Sequence, residues 1–489
     1  MKWMVAWIDE RIDLRGIKAT LLDREVPERL TWWHTLGSAT LTVFVVQIIT
    51  GVVLATYYAA SPDHAYDSVQ YIEGELVAGS LVRGIHHWAA SLMIILAIMH
   101  MVRVFAMGAY KYPREINWLL GVAMLLLVLG FGFTGYLLPW DQRAYWATQV
   151  GTNIAGTVPL LGPLLVKLLR GGSELGAVTL THFYAFHVLW LPILLGLLIL
   201  LHLTLVIRQG IAPRPHALEA NAPHKTNAPA YPTYYRKQYA QTKKGGVRFW
   251  PDILGKDALV ALLVVSFLVV LGATRAAQLE APADPTDTSY VPLPEWYFLP
   301  FYQLLKLVPG SLESAVSAGL PLVLLIVLLT LPFFDRRSTR NLLHRPRALA
   351  ALIVVLGSSG FLLGSAVREH EPAQAPELGR PLTAAERAGR AIYRQQGCGS
   401  CHTLGGIGSG IAPDLLNIGL HKSPAWIHSF LEDPVRFRPS TRMPAYGPPI
   451  LTHQEIEELS LYLSSLRGPP GNKLEPQYTD TFPIAPEPQ

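Results

Sequence analysis

Cysteine is almost absent from this chain: 489 residues contain two, Cys398 and Cys401. So few thiols, so close together, exclude a disulfide-stapled secreted scaffold. Charge is scarce as well. Asp, Glu, Lys and Arg make up 15% of the residues against 51% hydrophobic ones, which excludes an ordinary soluble domain of this size and an intrinsically disordered chain. The formal net charge of +5 is small and sits mostly in a few loops, so nothing argues for nucleic-acid binding. A basic stub before a short apolar run is also missing from the N-terminus. Residues 1–32 mix both charges around Trp3 and Trp7, and read as an interfacial amphipathic segment rather than a cleaved signal peptide.

Apolar runs fill the rest of the first three-quarters of the chain. Seven of them, near 33–58, 80–105, 117–138, 180–207, 253–273, 315–334 and 347–366, approach or exceed the roughly 20 residues a helix needs to cross about 30 Å of hydrocarbon. The fold class is therefore all-α: a polytopic transmembrane bundle of about seven spans, followed by a small helical domain. Lys and Arg concentrate in the loops after spans two, four and six, from Arg103, Lys111 and Arg114 to Arg336, Arg337, Arg340, Arg345 and Arg347. The positive-inside bias makes those loops and the N-terminus cytoplasmic, and an odd number of spans sends everything after about 367 to the outside. A four-helix block at 33–208 is joined by a Pro-, Ala- and Lys-rich cytoplasmic linker, 209–250, to a three-helix block at 251–368. A linker at 369–380, a small domain at 381–467 and a Pro-rich tail at 468–489 complete the chain.

Four histidines lie inside the membrane, where ionisable groups are costly and default to function. His86 and His100 are in span two; His187 and His202 are in span four. The span-two gap of 14 residues (100 − 86) covers about 21 Å of helix and returns to nearly the same face. His87 in place of His86 would face away from His100. Spans two and four run in the same direction, so the histidines pair by depth: His86 with His187 near the outer side, His100 with His202 near the inner side. Two stacked bis-histidine haem b sites follow. The span-four gap of 15 (202 − 187) is a poorer angular match and calls for helix tilt. Polar residues gluing helices together explain one or two histidines but not four at paired depths.

Gly37 and Gly51 in span one, and Gly121 and Gly135 in span three, repeat the 14-residue interval and would let a flat macrocycle approach the backbone. Arg83 and Arg103 flank the span-two histidines, either as partners of haem propionates or as snorkelling interfacial arginines. Between spans five and six, Pro294-Glu295-Trp296-Tyr297-Phe298-Leu299-Pro300 places a carboxylate among interfacial aromatics on the outer side. A carboxylate there suits the acceptance of protons from an oxidised quinol, although a solvated interfacial Glu is the plainer reading.

Together, the Pro-Glu-Trp-Tyr stretch, the four histidines and the spaced glycines resemble cytochrome b of quinol-oxidising cytochrome bc complexes. Ala65-Tyr66-Asp67-Ser68-Val69-Gln70-Tyr71, Thr134 to Gln142 and Pro282-Ala283-Asp284-Pro285 add to the likeness, which covers about residues 1–370. It is most similar to the b-six-f type, with cytochrome b and subunit IV fused in one chain; the longer span-four gap also fits that type, and the linker falls where the split forms break. The resemblance implies a quinol site bordered by Glu295, Tyr297, Tyr136, Tyr145 and the Pro139-Trp140 turn. It also implies a Rieske iron–sulfur partner, a cytochrome c or other electron acceptor, a homodimeric complex, and a place in a bacterial cytoplasmic membrane. One departure is plain: the cysteine that holds an extra haem in the b-six-f type is replaced here by His34-Thr35-Leu36-Gly37, so no covalently held third membrane haem is expected. For the inner quinone site, Arg208 is the only candidate offered.

The two cysteines belong to Cys398-Gly-Ser-Cys401-His402, a c-type haem attachment motif in which two thioethers hold the ring and the histidine is the proximal ligand. Thioredoxin-like chemistry shares the Cys-X-X-Cys spacing, but lacks the βαβ setting here and has no need of His402. Met443 is the only methionine downstream and the candidate distal ligand. Thr383 with Glu386 and Thr452 with Glu455 have capping-box spacing, and Ser423-Pro424 suits a helix start. Pro413 resembles the proline that contacts the proximal histidine in class I cytochromes c. The expected function is a quinol:cytochrome c reductase subunit with two haem b, one covalent haem c and a quinol substrate. Electrons would divide between the Rieske partner and the two b haems, with a proton gradient built across the membrane. Rivals are a haem-b anchor serving another peripheral enzyme, and a tether that merely carries the cytochrome c.

Overall fold

In a computed structural model, residues 2–27, 30–219, 221–285, 294–370, 382–404, 407–408, 412–439, 441 and 443–467 are described. The tail at 468–489 and most of the expected linker at 369–380 lie outside them. The chain is mostly helical and forms two compact units: residues 1–284 with 308–356, and residues 285–307 with 357–489.

Among the described residues, seven helices are long and apolar enough to cross a membrane: Trp32–Tyr57, Gly79–Ala106, Glu115–Tyr136, Ala177–Gln209, Phe249–Thr274, Ser314–Phe334 and Pro346–Arg368, hereafter spans one to seven. All seven expected spans are present. Their outward faces carry large apolar side chains, such as Leu200 at 65% and Val354 at 66% exposure. In water such a surface would drive aggregation; in hydrocarbon it is the required one.

Within the first unit, spans one and two pack along their length and span five lies against both, while span three meets spans two, four and six. Spans two and five touch backbone to backbone: a Cβ added at Gly84 would sit 2.8 Å from the Gly272 carbonyl oxygen. Small residues permit that approach. The linker therefore separates the two blocks in sequence, but span five packs into the four-helix block.

Two segments carry more structure than their sequence patterns specify. The N-terminal segment is two helices, Lys2–Ile12 and Leu14–Leu21, because Asp13 adopts a left-handed conformation (φ 52°) and caps the second through Gly16 N–H. The 209–250 linker is folded, not merely a spacer. It contains the helix Tyr231–Lys244, whose Tyr231 and Tyr235 are buried with Leu218. Its end, Val247–Arg248, pairs antiparallel with Glu25–Val26. Arginines that the sequence presents as orientation signals hold this clasp. Arg340, 1% exposed, donates to the Gly108 and Tyr112 carbonyls (2.7 and 2.8 Å) and to the Tyr231 hydroxyl. Arg114 donates to the Tyr235 hydroxyl at 2.7 Å, and Lys111 to Asp335 at 2.9 Å. Buried cations are tolerable only when paired or hydrogen-bonded, as these are.

In the second unit, the helices Ala384–Gln395 and His453–Ser465 cross at Gly389, where a Cβ would sit 2.0 Å from the Glu458 carbonyl oxygen. Around them Ile392, Tyr393, Ile427, Leu431, Ile456, Leu459 and Tyr462 form one buried core. Both expected capping boxes are made: Thr383 N–H donates to Glu386 at 2.7 Å and Thr452 N–H to Glu455 at 2.8 Å. Ser423 caps the helix Pro424–Glu432, with Pro424 in its first turn.

Candidate functional site

The structure brings the membrane histidines together in the expected pairs. His86 and His187 ring centroids are 6.3 Å apart, and His100 and His202 are 6.5 Å apart. A metal–imidazole bond is about 2.0–2.1 Å, so two such bonds in line, with half a ring at each end, span roughly 6 Å. The rings thus stand apart by the room one iron needs. His87 instead meets Trp88 edge-on.

Hydrogen bonding selects the ring nitrogens of the outer pair. Thr50 donates its hydroxyl proton to the Val46 carbonyl (2.8 Å), so at 2.8 Å from His86 Nδ1 it must accept. Thr134 donates to the Gly130 carbonyl (2.9 Å) and so accepts from His187 Nδ1 (3.1 Å). Each imidazole then carries its proton on Nδ1 and keeps the Nε2 lone pair for a metal, the usual arrangement of a ligating histidine with a hydrogen-bonded back side.

The longer span-four gap is explained by a π turn rather than by the tilt expected from sequence. Span four is α-helical over Ala177–Ala185 and Leu191–Gln209, but a π turn at Phe186–Trp190 contains His187, and Leu191 N–H bonds to the Phe186 carbonyl five residues back. Pro192, in the first turn of the following α segment, cannot donate to Val188 and its ring needs space there. The π turn absorbs one residue, so 15 residues span what 14 do in span two.

Three of the four spaced glycines face the histidine rings. A Cβ at Gly51 would lie 3.2 Å from His86 Cε1, one at Gly37 3.2 Å from His100 Cε1, and one at Gly135 2.5 Å from His187 Cε1. They make room for the histidine rings themselves. A Cβ at Gly121 would meet no atom within 4 Å, so only there is the space left open.

Arg83 and Arg103 part company. Arg83 forms an ion pair with Glu73 and donates to the Ala277 (2.8 Å) and Gln278 (3.2 Å) carbonyls, and so clamps the segment after span five. Arg103 is half-buried, with its buried Nε and Nη2 lacking a hydrogen-bond partner among the described residues, as an anionic group of a bound haem would require. His34, which sequence reasoning passed over, is its electrostatic neighbour and has a buried Nε2. A histidine at the head of a span was the available signal. Arg208 is exposed.

Three of the quoted motifs converge. Ala283 N–H donates to the Trp140 carbonyl (3.0 Å), Gln142 N–H to the Ala281 carbonyl (2.9 Å), and Glu280 N–H to the Asp141 carboxylate (3.1 Å). Tyr66 donates its hydroxyl to the Glu280 carbonyl (2.9 Å). Tyr145 packs on Trp140 beside this turn, and Tyr136 ends span three just before it. Burial and Glu174 push the Tyr145 phenol above its ordinary pKa. Glu295 and Tyr297 lie in the second unit. The Glu295 carbonyl accepts from Phe298 N–H (2.8 Å), forming a turn at the head of the helix Leu299–Leu307. Burial first, then the adjacent Glu295, raise the Tyr297 phenol and keep it protonated.

In the C-terminal domain, His402 Nδ1 donates to the Pro413 carbonyl at 2.8 Å, which again leaves Nε2 for a metal. Burial lowers the His402 pKa and favours the neutral ring. The Cys398 thiol is pushed up to about 12, chiefly by burial, the reverse of what a thioredoxin-type nucleophile needs. Cys398 and Met443 pack on the same core. The buried hydroxyls of Tyr393 and Tyr462 have no partner among the described residues, which fits a polar group of a bound haem.

Three family models match successive parts of the chain. Residues 21–210 match the family Cytochrome b/b6/petB, 282–384 match Cytochrome b(C-terminal)/b6/petD, and 386–467 match Cytochrome c. A menaquinol:cytochrome c reductase cytochrome b subunit of Geobacillus thermodenitrificans is 45% identical over 42% of this chain and 96% of its own. The chain belongs to the cytochrome b/b6 family. A cytochrome bc complex cytochrome b subunit of Chlorobaculum thiosulfatiphilum is 38% identical over 69% of this chain and 75% of its own. Among solved structures, a chain of a hyperthermophilic respiratory Complex III aligns with TM-score 0.64 and 28% identity over 80% of this cytochrome b and 95% of that chain. Family and fold make this cytochrome b/b6 protein a multi-pass subunit of a bc-type quinol oxidoreductase, with a cytochrome c domain on the same chain; its domains imply haem b and haem c.

Proposed function

We propose that this chain oxidises quinol at its outer side in a bc-type complex with a Rieske iron–sulfur partner, and that the two electrons part there. One goes to the Rieske protein and on to the acceptor chain; the other crosses the membrane inward, and protons are released outside. The observation that carries this reading is the pair of histidine couples, 6.3 and 6.5 Å between rings, two deep within one four-helix bundle.

His86 with His187 and His100 with His202 would hold two haem b, with Arg103 facing a propionate. Cys398 and Cys401 would bind one haem c covalently, with His402 and Met443 on its iron. Bound there, the haems supply one-electron carriers at low and, for the His/Met pair, higher potential. The chain's own residues handle the protons. Glu295 accepts one from the quinol, with neutral Tyr297 beside it as a hydrogen-bond donor, while Tyr136, Tyr145 and the Pro139-Trp140 turn border the site. At the inner side, half-buried Arg103 and His34 are better candidates than exposed Arg208 to receive a quinone. The basic loops support a cytoplasmic N-terminus and a cytochrome c domain outside a bacterial inner membrane. Homodimerisation follows the same analogy. The relatives' names point to a cytochrome c-type acceptor.

Purification of the complex, with haem counting and a search for a Rieske signal, tests this. Two b and one c per chain, with a Rieske signal, are expected; another ratio, or no such signal, sinks the proposal. Glu295→Gln should slow quinol oxidation at least tenfold with haem content unchanged, as removal of a general base does. Loss of haem instead would make Glu295 structural.

A further inference from the structure

One group of potential ligands is not used by any of this chemistry. His428 and Glu432 stand one helical turn apart on Pro424–Glu432, and so share a face. His453 opens the neighbouring helix, His453–Ser465. The Glu432 carboxylate lies between the two rings, with one oxygen 2.9 Å from His453 Nδ1 and the other 3.7 Å from His428 Nδ1. One potential ligand atom from each residue lies within 4.8 Å of the others. The two imidazole planes are 12° from parallel.

We propose that His428, Glu432 and His453 form a divalent-cation site of the zinc type on the surface of the cytochrome c domain, and that the ion staples the ends of the segment carrying Met443. Bonds of about 2.0–2.2 Å in a tetrahedron put ligand atoms roughly 3.3–3.5 Å apart; each imidazole Nδ1 lies within a few tenths of an ångström of that spacing from its own nearer Glu432 oxygen, at 2.9 and 3.7 Å. Two nitrogens and one carboxylate oxygen suit Zn2+ and other first-row ions, whereas Mg2+ and Ca2+ want oxygens alone. Three protein ligands leave a fourth position for water. Access is open from one side: His453 is 74% exposed, while His428 and Glu432 are held at 27% and 33%.

Placement in the chain gives the ion a purpose. Residues 433–452, the 20 between Glu432 and His453, make a loop whose two ends the ion would join, and Met443 lies near its middle. The near end is already tied, since Tyr446 N–H donates to the Leu431 carbonyl at 2.7 Å. Closing the base removes freedom from any state in which the loop swings out. This second step rests on Met443 being the distal ligand of haem c; the cation site does not.

The purified full-length complex, stripped with a chelator, should be titrated with Zn2+ against a chromophoric competitor. Wild type should hold one equivalent more than His428→Ala or His453→Gln, with micromolar or tighter affinity at that position and at least 100-fold loss in either variant. His453→Gln changes an exposed first-turn residue, so it tests the site without straining the core. Equal stoichiometry and affinity in all three proteins would overturn the site and leave a surface ion pair. With Zn2+ bound, displacement of the distal haem c ligand by added imidazole should slow at least threefold in wild type and not in His453→Gln. An unchanged rate in wild type would overturn the staple. A haem c spectrum that ignores Met443→Ala would remove the ligand reading instead, with zinc stoichiometry untouched.

Discussion

The membrane unit and the C-terminal domain assemble their candidate haem ligands over very different stretches of chain. His86 and His187 are 101 residues apart, and His100 and His202 are 102 apart; each couple meets only because spans two and four are held at one separation and one depth. In the C-terminal domain, Cys398, Cys401 and His402 fall within five consecutive residues, and only the Pro413 carbonyl comes from outside that stretch to orient the histidine. A site made by packing is sensitive to helix register, glycine contacts and distant hydroxyls. A site made by local sequence is insulated from all three.

Adding a residue beside the π turn should break the comparison most severely. Inserting one alanine after Trp190, an extra residue that the π turn does not absorb, would rotate His202 by about 100° relative to His187. Haem b content, read from the pyridine haemochrome spectrum, should fall by at least half, while covalent haem c, read by haem staining, stays unchanged. Two b haems retained by the insertion variant would mean that the π turn does not set the register.

A smaller effect is expected from the outer hydroxyls. Thr134→Val keeps the shape but removes the acceptor for His187 Nδ1–H, and loss of such a supporting bond costs roughly 10–100-fold in metal affinity. One b haem should become easier to lose in detergent dilution, with the other unaffected. Equal loss from both sites would show that the substitution disturbs the bundle rather than one ring.

Smallest of all is Thr383→Ala, which removes a helix cap in the C-terminal domain. A cost of about 1 kcal/mol is expected, seen as a lower thermal midpoint for the haem c signal alone. If the haem b midpoint dropped with it, the two units would not melt separately.

Legibility in the sequence followed the range of the interactions. The seven spans were readable from apolar length, and the three helix starts at Thr383, Ser423 and Thr452 from side chains acting on backbone two or three residues away. The pairing of His86 rather than His87 was readable as well, because angular position along a straight helix is arithmetic. It failed where the helix is not straight: a 15-residue gap read as tilt proved to be a π turn at Phe186–Trp190. Arg83, Arg114 and Arg340 all looked like interfacial charge. Which of them clamps a loop or closes the folded clasp depends on partners 95 to more than 200 residues away.

Sequence alone determined the all-α class, the number of spans, the histidine couples and the Cys-Gly-Ser-Cys-His stretch, since hydrophobic length, helical period and contiguous ligands are local properties. Tertiary structure decided that Gly37, Gly51 and Gly135 make room for imidazole rings and that Thr50 and Thr134 choose the ring nitrogen. It also decided that span five belongs with spans one and two, and that the linker is a folded clasp. Each of these is a contact between segments far apart in the chain, where periodicity carries no information about which side chain meets which.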